Sequence, residues 1–494
     1  MLSIRKTKTG SGKVAVQVVH YHERKVVIDA HLGSADTKET IELLVTRAHE
    51  WIHKHGAQSS LFPPPPRRIL NLETARFVGS MHTFAYTVVS TVATKCGFGE
   101  LPKLLIDLAI MRIVEPSSKL RAIELMARYF GIIWTSITVY RTLPKLKIHK
   151  AAVEEKAVAC AKTLLHANLS VILYDVTTLY FETFKEDDDL RKRGFSKDHK
   201  VGQPQIVVGL LVTDQGFPVG YEVFNGKTFE GHTMLPVLQD FVKKHEVKIP
   251  TVVADAGMIS LENVKALKAA GYSYIVGGRL ANSNAAVLRE IAAVENKDGT
   301  TLRLSTDRGD LICAYSEVRF RKDKHEMEKQ TEKAREIIAG KKPIKRVKFV
   351  SEGAGVHTFN EELKRKAETL LGWKGYYTNI PTSVLSDVDI VSQYKRLWHV
   401  EAAFRMTKND LETRPIFHHK EDAVRAHMLI CFVALCLGTY LELKTGQSLR
   451  AVRDTLWSVA DAHVIDTRTG ETIILRSEPA ASVEVILKKL GMSY

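Results

Sequence analysis

Three acidic residues stand in sequence contexts that could carry out phosphoryl transfer. Asp175 lies in VILYDVTTLYF and Asp255 in TVVADAGMIS, two apolar runs that predict buried strands, whereas Glu401 lies in the helical stretch YKRLWHVEAAFRMTK. A carboxylate at the end of a buried strand is costly to desolvate unless a positive charge meets it. Three such carboxylates can hold a pair of hard divalent cations, as in a phosphoryl-transfer site.

An ordinary structural interpretation competes with this chemistry. An Asp that follows a strand commonly caps a turn or a helix, and Ser260 close to Asp255 fits that interpretation. The helix favours the functional interpretation, because Tyr394, Glu401 and Lys408 are each seven residues apart. On a continuous α-helix this spacing drifts by only about 20° per step, so we predict that the three side chains share one face. A phenol, a carboxylate and an ammonium on one face suit a site where a metal ion meets a phosphate.

The overall charge favours a polyanionic partner. Lys and Arg total 71 against 56 Asp and Glu, which gives a formal net charge of +15 spread along the 494 residues. This excess favours nucleic acid, although many basic proteins bind none. The five cysteines form no C-x-x-C pair, so we predict neither a disulfide framework nor a structural zinc site. With no apolar core at the N-terminus and a short longest apolar run, 428–437, we expect no membrane segment and a reducing cytoplasm.

The elements that must position these residues form an α/β protein with a mixed sheet and helices on its faces. A chain of this length predicts roughly two to four domains. The predicted organisation is a β-hairpin and helix module (1–60), a proline-rich linker (61–75), a helical DNA-binding domain (76–168), the first part of the mixed-sheet core (169–280), an inserted subdomain of strands and a charged helix (281–374), the second part of the core with the Glu401 helix (375–445) and a C-terminal region (446–494).

Basic residues outside the acid site are candidates for phosphate contact. The helical domain carries six that could dock on DNA or simply form a solvated surface: Lys103, Arg112, Lys119, Arg121, Arg128 and Arg141. Lys345 and Arg346 lie in a basic run of the inserted subdomain that could reach over the active site. His418, His419 and His427 lack the spacing of a zinc site, so we predict packing roles for them.

These features together resemble the DDE transposases of bacterial insertion sequences, in the broad insertion-sequence-four superfamily. The order of strand Asp, strand Asp and helix Glu matches, and so do the stretches FNGKTFEGHT, VVADAGMIS and WHVEAAFRMTK. The resemblance extends over essentially the whole chain and implies an RNase H-like core, with the insertion between Asp255 and Glu401. One position departs from the superfamily pattern: Leu397 stands where an arginine is expected. Arg405 or Arg396 could take that role, or the role could be absent.

The resemblance also implies a reaction and its partners. Asp175, Asp255 and Glu401 would hold two Mg²⁺ or Mn²⁺ ions, while Tyr394, Lys408 and Arg405 would contact DNA phosphates. The implied substrate is double-stranded DNA, both the terminal inverted repeats and the target. The implied assembly is a homodimer on DNA in the bacterial cytoplasm, associated with the nucleoid. Two alternatives stay open: an RNase H-like nuclease without strand transfer, and an inactive DNA-binding relic, against which the three acids argue.

Overall fold

The structure is a computed structural model of the chain. It describes residues 2–23, 25–55, 75–186, 189–195, 202–258, 260–341, 347–353, 356–467 and 470–494. Most of the predicted proline-rich linker lies outside the described residues, and so do Lys345 and Arg346. The phosphate contacts proposed for those two side chains therefore stay predictions.

Sixteen strands occur in the described residues. They are β1 (Ser3–Lys8), β2 (Val14–His22), β3 (Lys25–Ala35), β4 (Ala75–Met81), β5 (Val171–Tyr180), β6 (Gln205–Thr213), β7 (Pro218–Asn225), β8 (Thr251–Ala254), β9 (Ser273–Gly278), β10 (Thr301–Thr306), β11 (Gly309–Tyr315), β12 (Val350–Gly353), β13 (Val356–Phe359), β14 (Trp373–Thr378), β15 (Asp461–Asp466) and β16 (Thr472–Arg476).

Sixteen α-helices occur in the same residues. They are α1 (Lys38–His55), α2 (Thr83–Lys95), α3 (Lys103–Val114), α4 (Lys119–Phe130), α5 (Ser136–Thr142), α6 (Lys150–Thr163), α7 (Met234–His245), α8 (Leu261–Ala269), α9 (Ala285–Ala293), α10 (Glu317–Ile338), α11 (Glu361–Thr369), α12 (Asp387–Lys395), α13 (Trp398–Arg405), α14 (Glu421–Thr445), α15 (Leu449–Trp457) and α16 (Ala481–Lys489). A π-helical turn, Met406–Asp410, follows α13 directly.

The central sheet has eight strands in the order β10-β11-β14-β9-β8-β5-β6-β7. Strands β5, β6 and β7 form an antiparallel meander, whereas β8 and β9 run parallel to β5. The meander needs only tight turns, and Gly216 between β6 and β7 has a φ of 90°. The parallel strands need crossovers, which α7 and α8 provide. The predicted mixed α/β fold is therefore confirmed.

The apolar runs of the sequence explain which elements are central. All nine residues of β6 (QIVVGLLVT) are buried, as expected for a strand covered on both faces. Helix α14 is apolar and long enough to span a membrane, but 89% of its most apolar window is buried inside the protein. A buried core helix passes the same test of length and composition, so α14 is explained by the core.

Clustering of contacts divides the chain into two compact units. The first comprises Met1–Thr87, Arg128–Gly131 and Leu441–Tyr494; the second comprises Val88–Ala127 and Ile132–Tyr440. The first unit contains the three-stranded sheets β1-β2-β3 and β16-β15-β4. The second contains the central sheet and every residue predicted for the acid site.

Two segments differ from the sequence prediction. The helical domain was expected from residue 76, but Ala75–Met81 is the strand β4, which pairs with the distant β15, a pairing that no local sequence pattern contains. Strands β10 and β11, expected in a separate inserted subdomain, continue the central sheet through β14. The predicted strands of the tail are present as β15 and β16. The predicted domain boundaries themselves stay predictions.

Candidate active site

Asp175 and Asp255 lie side by side on neighbouring strands. Strands β5 and β8 are parallel, and their register pairs Tyr174 with Ala254. Asp175 follows Tyr174 within β5 and Asp255 directly follows Ala254 at the end of β8, so the two acids come one residue after a pair of strand residues about 4.8 Å apart. Asp175 was expected at the end of its strand, which is wrong, because β5 continues to Tyr180. The neighbouring strand β8 is shorter and ends at Ala254. The pairing of β5 with β8 therefore ends one residue before Asp175.

Side-chain alternation along β5 turns Asp175 toward the site. Its neighbour Tyr174 points to the opposite face, is fully buried, and donates a hydrogen bond to the Thr233 hydroxyl at 2.8 Å. A Cβ at Gly209 would lie 2.4 Å from the Tyr174 hydroxyl, so β6 needs a glycine there for the tyrosine to fit. The buried tyrosine thus fixes the orientation of the strand that carries Asp175.

Tyr394 connects α12 to the second acid. Its hydroxyl donates to Asp255 Oδ1 at 3.2 Å, while its ring is buried. Burial raises the pKa of Tyr394, and the nearby Asp255 carboxylate raises it further, so the phenol stays a protonated donor. A Cβ at Gly277 would lie 2.5 Å from the Tyr394 hydroxyl, so the approach of the tyrosine to β9 depends on that glycine.

Lys374 lies at the same site, although no role was predicted for it. Its Nζ is 4.4 Å from the ring centroid of Tyr394 and 5.6 Å from that of Tyr376. Burial and the charge of Arg319 lower the pKa of Lys374, whereas Asp255 and Glu401 act in the opposite direction. Lys374 and Asp255 line the same cleft. A lysine between the aromatic residues of WKGYYT is the one signal in the sequence that could have indicated it.

Glu401 does not share one continuous helix with Tyr394 and Lys408. The backbone N–H of Leu397 donates to the carbonyl of Tyr394, and that of Val400 to Leu397, each at 3.0 Å. These 3₁₀-type bonds separate α12 from α13, and the π-helical turn carries Lys408. Both irregularities change the rotation per residue, so the premise of one continuous α-helix is wrong and the seven-residue spacing no longer implies a shared face. The shared face itself stays a prediction.

The packing of α13 brings Glu401 to the sheet. Its apolar face (Val400, Ala403 and Phe404) is buried, and the helix contacts β5 and β6. Glu401 itself is exposed in the first turn. Within the described ranges, no group of three or more His, Cys, Asp or Glu side chains is arranged to hold a metal ion. The oxygen-only donors suit Mg²⁺ chemically, but an ion bound by all three acids would require at least one side chain to move.

Comparison with known proteins identifies the family. The sequence profile described as "Transposase DDE domain" matches residues 166–437, more than half of the chain. The chain belongs to the DDE transposase family. No curated protein matches it significantly. Among solved structures, it is similar to the piggyBac transposase in a cryo-EM synaptic complex with hairpin DNA, with a TM-score of 0.35 and 11% identity over 83% of this chain and 74% of that chain.

Family membership makes this chain a DNA-cleaving transposase with DNA as its partner, in a family that generally uses divalent metal ions. The matched region contains the three acids, Tyr394 and Lys408. It ends at residue 437, within α14. The roles of the individual side chains stay predictions.

The two arginines near Leu397 have different surroundings in this transposase. Leu397 is buried, so an apolar side chain suits its position. Arg396 donates to Asp214 Oδ2 at 2.8 Å, in the turn between β6 and β7. Arg405 is exposed on α13, one turn beyond Glu401. Arg396 thus has a structural partner, whereas Arg405 is accessible to a ligand.

Two basic residues predicted to contact DNA are buried inside the transposase. Arg112 donates to the carbonyls of Leu411 and Glu412 at 3.3 and 3.2 Å, and Lys119 is also buried. The expectation of surface phosphate contacts is wrong for these two. Arg112 lies on α3, which is apolar on nearly every face and is enclosed by the core, and Lys119 is buried at the start of α4. The other four candidates, Lys103, Arg121, Arg128 and Arg141, are exposed.

His427 joins this buried group. Its Nε2 donates to the carbonyl of Thr413 at 3.1 Å, so its Nδ1 can accept from Lys119 Nζ at 3.5 Å. Burial lowers the pKa of His427 far below its ordinary value and lowers that of Lys119 to about 7. We call Arg112, Lys119 and His427 the buried cation cluster. It contacts the segment that follows the π-helical turn and thereby supports the end of the helix that carries Glu401.

Proposed function

We propose that the chain is the transposase of a bacterial insertion sequence, of the insertion-sequence-four-like type. It binds the terminal inverted repeats of its element, cleaves the DNA at the ends and joins the 3′ ends to target DNA. The observation that carries this proposal is that Asp175 lies on β5 and Asp255 directly follows the parallel neighbour β8, with the Tyr394 hydroxyl on Asp255 and the Glu401 helix α13 against β5. We also propose that two protomers act together, because two ends must be joined.

The strand arrangement supports an RNase H-like core. Three antiparallel strands, β7, β6 and β5, are continued by the parallel strands β8 and β9, with one helix in each crossover. Ligands of open α/β sheets bind beyond the ends of such strands. The end of β8 is where Asp255 begins the loop, which agrees with a catalytic site at that edge.

The proposed roles of the side chains follow from their surroundings. Asp175, Asp255 and Glu401 would hold two Mg²⁺ or Mn²⁺ ions, which activate the attacking oxygen and stabilise the leaving oxygen. Tyr394 orients the Asp255 carboxylate through its hydroxyl hydrogen bond. Arg405 and Lys408 would bind backbone phosphates on either side of the reacting bond, each as a charge-assisted donor.

Helix α5 supports a DNA-contacting surface within the helical region. Thr135 caps its start, with a hydroxyl that accepts from the Thr138 N–H, and the helix leaves Ile137, Tyr140 and Arg141 exposed. Large apolar side chains on a short exposed helix are typical of an interaction surface. An arginine beside them fits a polyanion and supports the recognition of element ends by this part of the chain.

A strand-transfer assay tests the proposal. Labelled duplex DNA carrying an element end is incubated with the protein, a target plasmid and Mg²⁺, and products are resolved by size. We expect cleavage at the end and a product in which the 3′ end is joined to the plasmid; EDTA should abolish both. Cleavage without joining would favour the nuclease alternative, and binding without cleavage in Mg²⁺ or Mn²⁺ would favour the relic.

A further inference from the structure

Lys374 lies on a rigid strand inside the acid site. Its backbone pairs with Ala314 in the register of β11 and β14, and β14 also pairs with β9. The rings of Tyr376 and Tyr394 meet edge to face at 4.8 Å, and the ammonium lies against both. A side chain held by a central strand and two aromatic rings is positioned more accurately than one on a loop.

The ammonium has no hydrogen bond or ion pair with any described residue, although carboxylates are close. The faces of the two aromatic rings attract the ammonium, but they accept no conventional hydrogen bond from its N–H groups. The three donors of Lys374 are therefore available to an oxygen-bearing ligand.

A cleft of about 770 Å³ connects Lys374 with Asp255. Asp255, Tyr394, Lys374 and Arg319 all line it. Asp255 would repel a phosphate that approaches through the cleft, and a cation beside it reduces that repulsion. Lys374 is placed for this role. Arg319, by contrast, forms an ion pair with Asp323, with 3.1 Å between Nε and Oδ2.

We propose that Lys374 is an additional phosphate-binding residue of the active site, which donates to a non-bridging oxygen of the phosphate that is cleaved. This inference rests on the proposed function and adds a residue that lies outside the Tyr394, Glu401 and Lys408 pattern. It differs from a passive role, in which the ammonium only neutralises the acids when metal is absent.

Lys374→Met and Lys374→Arg test the proposal, with Lys395→Met as the matched control. Lys395 is an exposed lysine on α12, next to Tyr394 in sequence. We expect Lys374→Met to slow single-turnover cleavage by about 10- to 100-fold, as for one lost charged hydrogen bond. Lys374→Arg should recover most of the rate, and affinity for duplex DNA in Ca²⁺ should change little, since many other phosphates contribute. Lys395→Met should cleave like the wild type.

A neutral methylphosphonate at the scissile position shows which phosphate is bound. If Lys374 contacts that phosphate, the methylphosphonate and Lys374→Met should together slow cleavage no more than the larger single effect. If the rate reductions caused by the methylphosphonate and by Lys374→Met instead multiply, the proposed contact is overturned. A variant with an unchanged maximal rate but a lower Mg²⁺ requirement would show that Lys374 is only a counter-charge to the acids.

Chemical footprinting of lysines keeps this inference separate from the proposed function. In Ca²⁺, an element-end duplex should protect Lys374 from acetylation, measured by mass spectrometry, while Lys395 stays reactive. Unprotected Lys374 in the DNA complex would overturn the inference even if the wild type cleaves. A wild type that binds DNA and protects Lys374, but never cleaves, would reject the proposed reaction and keep the phosphate contact.

Discussion

Two groups of charged residues in the same compact unit show opposite solutions to the cost of concentrated charge. At the acid site, Asp255 and Glu401 are exposed, and Asp255 lines a cleft. In the buried cation cluster, Arg112 and Lys119 are enclosed. The Arg112 donors are directed to backbone carbonyls, at 3.2 to 3.3 Å. The carboxylates of the acid site are accessible to solvent, whereas the buried Arg112 guanidinium forms its hydrogen bonds within the protein.

The difference separates a ligand site from a structural one. Backbone carbonyls are partial charges fixed by the fold, so a buried guanidinium that binds them holds the backbone in place. Glu412 has a φ of 43°, a conformation uncommon for a residue with a side chain, and its carbonyl is one that Arg112 binds. An incoming cation instead requires carboxylate oxygens that it can reach from solvent, as at Asp255 and Glu401.

The largest expected effect is the loss of cleavage when an acid is neutralised. Asp175→Asn, Asp255→Asn and Glu401→Gln keep the size of each side chain but remove its charge. We expect cleavage to fall by about 10³-fold or more, because a metal-binding carboxylate acts in the chemical step. Affinity for an element end, measured by mobility shift in Ca²⁺, should stay close to wild type. Any variant that still cuts at a wild-type rate would be removed from the metal site.

The second expected effect concerns stability. Arg112→Met should lower the free energy of unfolding by about 3 kcal/mol, because it leaves buried carbonyls without donors. The matched control is Arg121→Met, whose exposed pair with Glu124 is worth about 0–1 kcal/mol. Denaturant unfolding of both variants measures the difference. Equal losses in the two variants would mean that the buried cluster contributes no special support.

The sequence predicted the acid site better than the cation cluster, for a physical reason. The runs around Asp175 and Asp255 are β-branched and apolar, so strands β5 and β8 follow from local pattern. The side-by-side placement of the acids depends on strand pairing, which no local pattern contains. Lys374 is brought to the site by the same sheet, from a distant strand, and was missed.

The burial of Arg112, in the cation cluster, could have been predicted from the sequence. Every residue from Leu104 to Val114 is buried in α3, and a helix that is apolar on all faces is expected to lie in a core. An arginine within such a helix must then be buried too. The break between α12 and α13 had no comparable signal, because YKRLWHVEAAF is compatible with one continuous helix.

A third prediction uses the pH dependence of the buried cluster. Lys119 is faced by Arg112, His427 and Cys431, and burial lowers its pKa from 10.5 to about 7. Between these two values the unfolded chain binds a proton that the folded chain does not. Stability therefore rises with pH in that window, by up to about 1.4 kcal/mol per pH unit.

Lys119→Met should remove this slope. The difference in unfolding free energy between variant and wild type, measured from pH 7 to 9.5, should favour the variant most at pH 7 and shrink as pH rises. Lys145→Met, at an exposed lysine, serves as the control and should show no such trend. A difference that is flat with pH would mean that Lys119 keeps its proton in the folded protein.

The smallest effect is expected for Arg396, which separates its role from that of Arg405. Its side chain is 41% exposed and pairs with Asp214, so Arg396→Ala should cost only about 0.2–1 kcal/mol of stability. Cleavage should stay within a few-fold of wild type, because the Arg396 guanidinium is held by Asp214, away from the acids. Asp214→Asn should reproduce the same small loss, since it breaks the same pair. If Arg396→Ala instead abolished cleavage while Asp214→Asn did not, Arg396 would be the residue that replaces the arginine missing at Leu397, and Arg405 would lose that assignment.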